Sequence, residues 1–336
     1  MTLLTHHDPD KVEIYCYSGV KNPDEMTRKF QTLAHEFRHV AGISDSRLAE
    51  QIRADRIDIL VDLTLHLADN RLLTFARKPA PVQVTWLGYV GTTGLANIDY
   101  RLTDPYLDPP GEGDEFYSEK SIRLPHCFWC YEPDESSPAE NKLPAIERRY
   151  VTFGSLNNFA KMSSPALEVW AKILLAVSGS RLILSSREGS HRAAALEKFS
   201  RAGVDPARVE FVGTQPILEY LRQYNQIDIA LDPFPYCGGT TTCDALWMGV
   251  PVVSLRGRTA IGRAGASILS NVGLLDWIAE SAEQYVGIAA GMAGDLAKLN
   301  ELRLNLRKRM MPSPLLDGRK FAAGMEAAFR TMWTNW

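Results

Sequence analysis

Apolar and polar positions along the chain show two kinds of pattern, one typical of strands and one typical of helices. The order in which these patterns follow each other predicts the fold. In the first part, β-rich runs predict strands at 12–17, 58–63, 82–87 and 100–103. Helical patterns at 25–37 and 45–56, the second with Asp45 as N-cap, lie between the first two of these strands. The run DILVDL at 58–63 is typical of a strand buried within a parallel sheet. Strands that alternate with helices predict βαβ units and a doubly wound α/β fold.

A second series of the same kind follows a polar stretch. Its strands are predicted at 150–156, 181–185, 228–231 and 250–255, and its helices at 164–177, 193–202, 217–226 and 240–248, with Ser164 as an N-cap before Pro165. Residues 132–149 are rich in Pro, Ser and acidic residues and lack apolar periodicity, as a linker does. We therefore predict lobes over 1–131 and 150–317, and a last helix within 318–336 that packs across both lobes.

Composition narrows the class of protein. The chain has 336 residues, whereas a domain built around one hydrophobic core rarely exceeds roughly 250–300, so two domains are favoured. A net charge of -3, from 37 Lys+Arg and 40 Asp+Glu, argues against a nucleic-acid partner. No apolar run approaches the roughly 18 residues of a membrane span, and the start lacks a basic n-region. Five cysteines, an odd number, favour a reduced, cytoplasmic protein.

The segment 227–255 carries the clearest candidate chemistry. A buried strand is followed by a Pro/Gly loop, and Gly238-Gly239 leads directly into a helix that begins at Thr240. Glycines permit close backbone approach, and a helix N-terminus offers N–H groups and a positive dipole end, so this pattern predicts a phosphate site. Asp244, in the first turn, is placed to accept hydrogen bonds from ribose hydroxyls. The alternative is that Thr240–Thr242 only cap the helix and Asp244 balances its dipole.

Two further loops follow predicted strands. The first contains Asn158 and Lys161, and a lysine at the carboxyl edge of a sheet neutralises a phosphate leaving group; the alternative is a solvated surface lysine. The second, at 83–94, has glycines at GxxGxxG spacing. This spacing differs from the GxGxxG of dinucleotide-binding proteins, so it indicates either a loop that faces a cleft or a set of tight turns.

Metal and covalent chemistry are not predicted. Cys127 and Cys130 form a CxxC after His126, but no second pair completes four ligands. The motif Asp8-Pro9-Asp10 resembles the DxD of metal-dependent glycosyltransferases, yet it lies in a proline-containing turn. The chain has no Walker A loop, no HExxH and no GxSxG.

At these residues the chain resembles the catalytic region of the O-GlcNAc transferase and SPINDLY family, glycosyltransferase family 41. The similar segments occur in family order over nearly the whole chain. They are VDLTLH at 61–66, NRL at 70–72, RKPAPVQV at 77–84, WLGYVGTTG at 86–94, DY…TD at 99–104, YSEK at 117–120, LPH at 124–126, the 158–161 loop, GGTTT at 238–242, DALW at 244–247 and SPL at 313–315.

The resemblance implies a GT-B architecture: two Rossmann-like lobes that face a cleft, with a nucleotide-sugar donor on the C-terminal lobe. It implies an inverting reaction without metal or other cofactor, in which a sugar, GlcNAc from UDP-GlcNAc, is moved to Ser/Thr hydroxyls of a protein acceptor. It implies that Lys161 and His126 are the catalytic residues. Lys161 would lie against the departing diphosphate, and His126, in the LPH segment, would face the cleft. The implied donor contacts are Asn158, Lys161, Gln215, Pro216, Ile217, Tyr220, Gly239, Thr240, Thr241 and Asp244.

The chain departs from the family pattern in several places. The animal enzyme has lysine where Ile217 stands and histidine where Tyr220 stands, so GlcNAc, glucose and fucose all stay open as the donor sugar. Leu65, Val90 and Gly262 replace a usual glycine, proline and serine. Family members carry tetratricopeptide repeats and an earlier strand and helix with a histidine proposed as general base. We therefore expect an N-terminal lobe short of its first strand, and two alternatives stay open: an impaired nucleotide-sugar-binding fragment, or an epimerase of the same fold.

Overall fold

Parallel strands joined by helices make up both halves of the chain in the computed structural model, which describes all 336 residues. The chain divides into two compact units. The N-terminal unit comprises Met1–Glu132 and Asp317–Trp336, and the C-terminal unit comprises Pro133–Leu316. The last helix therefore belongs to the N-terminal unit, where it packs against the first helix.

The N-terminal unit has six strands and five helices. The strands are β1 (Tyr15–Ser18), β2 (Glu36–His39), β3 (Ile59–Asp62), β4 (Val82–Thr85), β5 (Tyr100–Thr103) and β6 (Lys120–Arg123). The helices are α1 (Thr2–His6), α2 (Glu25–Leu33), α3 (Asp45–Ala54), α4 (Leu72–Phe75) and α13 (Gly318–Asn335).

The strands of this unit form two separate parallel sheets. One has the order β3-β4-β5-β6, and the other contains only β1 and β2. All residues of β4 and β5 are buried, whereas those of β1 are half-buried. A core cluster that includes Leu48, Ile52 and Leu60 packs α3 against β3, and Tyr17 of β1 packs on the same cluster. The carboxyl ends of β3 to β6 share one edge of their sheet, which positions the loops described below.

The predicted helix over 25–37 is wrong at its C-terminal end. Helix α2 ends at Leu33, and residues 36–39 form strand β2, with Tyr15 of β1 opposite Glu36. The N–H groups of both His35 and Glu36 donate to the Ile14 carbonyl, so the backbone is already extended there. Pairing with strand β1, 21 positions earlier in the chain, decides the conformation of this segment. The spacing of apolar residues within a segment does not reveal such pairing.

The C-terminal unit has six strands and eight helices. The strands are β7 (Thr152–Ser155), β8 (Arg181–Ser185), β9 (Val209–Val212), β10 (Ile229–Leu231), β11 (Val252–Leu255) and β12 (Ile278–Ala279). The helices are α5 (Pro144–Arg148), α6 (Ser164–Ala176), α7 (Ser190–Arg201), α8 (Ile217–Gln223), α9 (Thr240–Trp247), α10 (Ala260–Val272), α11 (Ala282–Ala293) and α12 (Leu296–Met310).

One parallel sheet of order β12-β11-β10-β7-β8-β9 organises the C-terminal unit. The chain runs outward from β7 to β9 and then returns to the other side of β7 with β10. In register, Ile229 lies opposite Phe153 and Ala230 opposite Gly154. The order therefore reverses between β7 and β10, and ligands of open α/β sheets bind outside the carboxyl ends of the strands at such a switch point.

The segment predicted as a linker is partly structured. Residues 144–148 form helix α5, and Leu143 and Ala145 are buried. The N–H of Ala145 donates to Asp228 Oδ1 over 2.9 Å, and the N–H of Leu143 donates to Asn300 Oδ1 over 3.0 Å. These partners lie about 80 and 160 residues away in sequence, so a scan for local periodicity could not detect them.

Smaller differences concern element ends and short strands. Helix α3 is capped by Ser44 and helix α6 by Ser163, each one residue before the predicted cap. Strands β6, β9 and β12 were not predicted. Strand β6 has no fully buried residue, β9 has one, and β12 has only two residues, so the apolar pattern of these strands is weak.

Candidate active site

Lys161 lies just beyond the carboxyl end of β7, on a single 3-10 turn that Asn158 caps through a hydrogen bond from the Ala160 N–H. Its Nζ donates to the Cys237 carbonyl over 3.1 Å and stands 3.9 Å from the centre of the Tyr236 ring. Burial lowers the pKa of the ammonium, and the charge of Asp232 opposes that effect. Lys161 is therefore a half-buried cation fixed beside the loop that follows β10, not the solvated lysine of the alternative interpretation.

Helix α9 begins at Thr240, directly after the two glycines. Gly239 is its N-cap residue, and no side chain caps the helix. The N–H groups of Thr240 and Thr241 have no intrahelical acceptors, whereas the Thr242 N–H donates to the Gly239 carbonyl over 3.0 Å. All three lie at the positive end of the helix dipole. The capping role proposed as the alternative for Thr240–Thr242 is therefore wrong. Thr240 is exposed, so the helix start is open to solvent.

The position of Gly238 has no room for a side chain. A Cβ at this position would stand 2.5 Å from Thr242 Oγ1, 2.7 Å from Thr241 Oγ1 and 3.0 Å from Asn157 Oδ1. Thr241 Oγ1 in turn donates to Asn157 Oδ1 over 2.7 Å, which ties the helix start to the loop after β7. The structure thus brings Asn158, Lys161, Gly239, Thr240 and Thr241 to the switch point between β7 and β10.

Asp244 lies in the same helix and is almost buried. Its Oδ2 accepts a hydrogen bond of 2.9 Å from the Tyr220 hydroxyl, which is 3.0 Å from the Tyr224 hydroxyl. The Tyr224 hydroxyl donates to the Thr241 carbonyl over 3.0 Å. Burial raises the pKa of both tyrosines well above the ordinary value, so both stay protonated. Helix α8, which carries Tyr220, is therefore joined to the helix that begins at Thr240.

The remaining predicted donor contacts precede or begin α8. Pro216 is the N-cap residue of this helix, Gln215 is half-buried, and the Ile217 side chain is 52% exposed. They follow β9, at the same carboxyl edge of the sheet as Lys161. An exposed isoleucine at the start of α8 offers apolar contact but no hydrogen bond to a ligand.

In the N-terminal unit, His126 follows β6 at the carboxyl edge of its sheet and is half-buried. Two buried contacts hold its segment. The Phe128 N–H donates to Asp104 Oδ2 over 2.8 Å, and the Trp86 indole N–H donates to the Phe128 carbonyl over 3.1 Å. The backbone that carries His126 is thereby fixed to the ends of β4 and β5.

The glycine loop after β4 lies at the same edge. A Cβ at Gly88 would overlap the backbone of Leu63, and Gly94 has a φ of +72°, so these glycines are needed for close approach and for a left-handed turn. His66, in the loop after β3, has its Nε2 3.0 Å from the Thr92 carbonyl. This edge therefore presents two histidines, His66 and His126, of which only His126 was predicted as a site residue.

No group of three or more His, Cys, Asp or Glu side chains is placed to hold a metal ion. No helix is long and apolar enough to cross a membrane.

Comparison with protein families identifies the chain. The profile described as Glycosyl transferase family 41 matches residues 2–135 and 135–325. The chain belongs to glycosyl transferase family 41. The probable UDP-N-acetylglucosamine–peptide N-acetylglucosaminyltransferase SPINDLY of Oryza sativa subsp. japonica is 41% identical over 344 residues, which is 99% of this chain and 37% of the rice protein. The family 41 chain thus spans little more than a third of the length of this relative.

Solved structures place the family 41 chain among GT-B folds. A mutant of the Thermobaculum terrenum O-GlcNAc transferase superposes with a TM-score of 0.93 at 38% identity, covering 99% of this chain and 64% of that one. Anabaena Alr3699/HepE in complex with UDP-glucose superposes with a TM-score of 0.57 at 12% identity, covering 94% and 99% of the two chains, and this likeness shows the fold alone. The predicted α/β fold of GT-B type is confirmed.

Several residues of the candidate site were missed. Asp232, Tyr224, Tyr236 and the Cys237 carbonyl surround Lys161 and the start of α9, yet none was predicted. The position of Asp232 directly after a buried strand was a signal that could have identified it. The contacts of Tyr224 and Tyr236 depend on how loops fold back on the sheet, which no sequence spacing reveals.

Proposed function

We propose that this family 41 chain is an inverting, metal-independent glycosyltransferase that moves GlcNAc from UDP-GlcNAc to Ser/Thr hydroxyls of proteins. The name of the rice relative, which specifies UDP-N-acetylglucosamine and a peptide acceptor, supports this donor and acceptor. The nucleotide sugar is a substrate, and no cofactor is part of the proposal.

The observation that carries the proposal is the placement of Lys161. Its ammonium lies against the Cys237 carbonyl, one residue before the Gly238-Gly239 pair that leads into α9. A lysine cation and the N–H groups of a helix start thus converge at the switch point of the C-terminal sheet. A diphosphate bound there would receive both the point charge and the backbone hydrogen bonds.

This arrangement supplies the main catalytic contribution expected for the reaction. When the bond from the sugar to the diphosphate breaks, negative charge develops on the leaving phosphate oxygen. Preorganised donors aimed at that charge stabilise the transition state more than the ground state. Attack of the acceptor hydroxyl on the opposite face of the sugar would invert its configuration. We place His126 on the acceptor side, and Asp244 at the ribose.

Binding is tested by thermal unfolding with and without nucleotide. At millimolar UDP, a site with micromolar affinity would raise the free energy of unfolding by about 4 kcal/mol, since the ligand binds only the folded state. We expect a clear rise in melting temperature with UDP and a smaller one with GDP. No rise with either nucleotide would contradict the proposal.

Transfer is tested with UDP-GlcNAc, UDP-glucose and GDP-fucose, a Ser/Thr-containing acceptor protein and excess EDTA. We expect glycosylated protein with UDP-GlcNAc, activity that survives EDTA, and a β-linked sugar by NMR from the α-linked donor. Free sugar plus UDP without acceptor would instead identify an epimerase-like reaction. Nucleotide binding without any turnover would identify a binding protein.

A further inference from the structure

Asp232 is a buried carboxylate at the carboxyl end of β10. Its side chain is 1% exposed. Asp232 Oδ1 accepts a hydrogen bond of 2.7 Å from the Gly238 N–H, and Oδ2 accepts one of 2.7 Å from Ser254 Oγ at the end of β11. The carboxylate therefore joins two strand ends to the first glycine of the loop that leads into α9.

Helices α10 and α11 pack closely against Asp232 on two sides. A Cβ on Gly265, in α10, would overlap both Asp232 Oδ2 and Ser254 Oγ, so the pair exists only because this helix position is glycine. On the other side, the Tyr285 hydroxyl donates to the Asp232 carbonyl over 2.9 Å. Both carboxylate oxygens and the carbonyl of Asp232 therefore accept hydrogen bonds, from a loop, a strand and a helix, which hold the residue in place.

This anchor determines where the start of α9 points. The Gly238 N–H is turned back toward the sheet by Asp232, and the chain enters the helix two residues later at Thr240. The N–H groups of Thr240 and Thr241, which have no intrahelical acceptors, follow directly after this anchored glycine pair. Asp232 would therefore affect a phosphate ligand at the helix start through the Gly238 backbone and not by direct contact.

The charge of Asp232 also faces the site. The titratable groups that act on it come from four surrounding elements: Lys161, Tyr224, Cys237 and Tyr285. Lys161 is the cation among them. Burial raises the pKa of Asp232 to about 6 although the hydrogen bonds and Lys161 favour the ionised form. A diphosphate bound at the helix start would add like charge and raise that pKa further.

We propose that Asp232 is the positioning residue of the donor diphosphate site: its carboxylate orients the Gly238-Gly239 backbone, and its negative charge makes nucleoside-diphosphate binding weaken as the pH rises. The inference rests on the proposed function, because it deepens the description of the same site. By linkage, a ligand that raises the pKa of a group takes up a proton on binding.

The charge is tested with Asp232→Asn. The amide oxygen still accepts from Gly238, and the amide nitrogen donates to Ser254, so the geometry is kept and only the charge is removed. UDP affinity is measured by calorimetry between pH 5.5 and 8.0 for both proteins. UDP also titrates in this range, so the comparison between proteins is the readout. Between pH 5.5 and 8.0 we expect the affinity for UDP to fall about tenfold more in the wild type than in Asp232→Asn. This is the difference expected if bound UDP raises the pKa of Asp232 by about one unit.

The anchor is tested with Asp232→Ala and Ser254→Ala, since the second variant keeps the carboxylate if the first fails to fold. We expect weaker UDP binding and faster hydrogen exchange in the 233–242 backbone, more for Asp232→Ala than for Ser254→Ala, with far-UV circular dichroism unchanged.

The outcomes separate the two proposals. If the wild type binds UDP and Asp232→Asn shows the same pH profile, the inference about Asp232 is wrong and the proposed function stands. Unchanged exchange at 233–242 in Asp232→Ala would overturn the anchoring role. If the wild type binds no UDP at any pH, the proposed function fails, and the inference fails with it.

Discussion

Lys161 is the residue on which the proposed chemistry depends most. Lys161→Met keeps an unbranched side chain and removes the ammonium, which stands 3.9 Å from the centre of the Tyr236 ring. Because the leaving diphosphate would lose its cation, we expect kcat to fall by about a hundredfold to a thousandfold. Initial rates of transfer from UDP-GlcNAc provide the measurement.

Lys120→Met is the matched control, because Lys120 is an exposed lysine of β6 in the other unit. Its kcat should stay within twofold of the wild type. Equal rates for Lys161→Met and the wild type would contradict the assigned role.

Asp232 also predicts how stability depends on pH. Its pKa is about 6 in the folded chain, against about 3.9 for an unfolded aspartate, so the folded state holds the proton more tightly. The protonated form therefore favours folding below about pH 4, and this contribution is lost as the pH rises to about 6.

Asp232→Asn removes this dependence. Its free energy of unfolding relative to the wild type should rise by about 2 kcal/mol between pH 4.5 and pH 7, and then level off. Urea unfolding at four pH values measures this difference. Parallel profiles for the two proteins would show that Asp232 does not titrate in this way.

Two glycines in the interiors of helices differ in their surroundings. Gly265, inside α10, has no room for a Cβ next to Asp232 and Ser254, whereas Gly287, inside α11, has nothing within 4 Å of that position. Gly265→Ala should therefore destabilise the chain by about 1–3 kcal/mol through overpacking.

Gly287→Ala is the matched substitution, and it should stabilise by about 0.5–1 kcal/mol through helix propensity. Thermal and urea unfolding measure both effects. The sign should differ between the two variants, and a loss of stability in both would mean that the space around Gly287 is not free.

At the level of the whole C-terminal unit, Arg303 connects the segment after the unit boundary to the sheet. It is fully buried and donates to the Asn141 carbonyl, Asn141 Oδ1, the Ile227 carbonyl and the Tyr224 carbonyl. Arg303→Met would remove four buried hydrogen bonds to these carbonyl and amide oxygens, so we expect the free energy of unfolding to fall by about 3 kcal/mol or more.

Arg201→Met is the control, because Arg201 is exposed on α7 and pairs only with Glu197. Its stability should change by about 0.5 kcal/mol or less. If Arg303→Met were equally mild, the buried network would not be what holds residues 133–149 on this unit.

The sequence alone determined the class of fold and the position of the candidate site. Buried apolar runs such as 58–63 and 228–231 alternate with helical patterns, and this order predicts a parallel α/β sheet. The Gly238-Gly239-Thr240 pattern predicts a helix start after a loop. Lys161 could be proposed for a similar reason, since it follows a strand that ends at the carboxyl edge.

Only the tertiary structure decided which residues meet at that site and which segments are strands. Strand β2 was predicted as helix, because its extended form depends on pairing with β1. Asp232 was overlooked, because its partners Gly238, Ser254 and Gly265 come from three different elements. Local periodicity reports what a segment buries, whereas hydrogen-bond partners and the space around a carboxylate are set by contacts between distant segments.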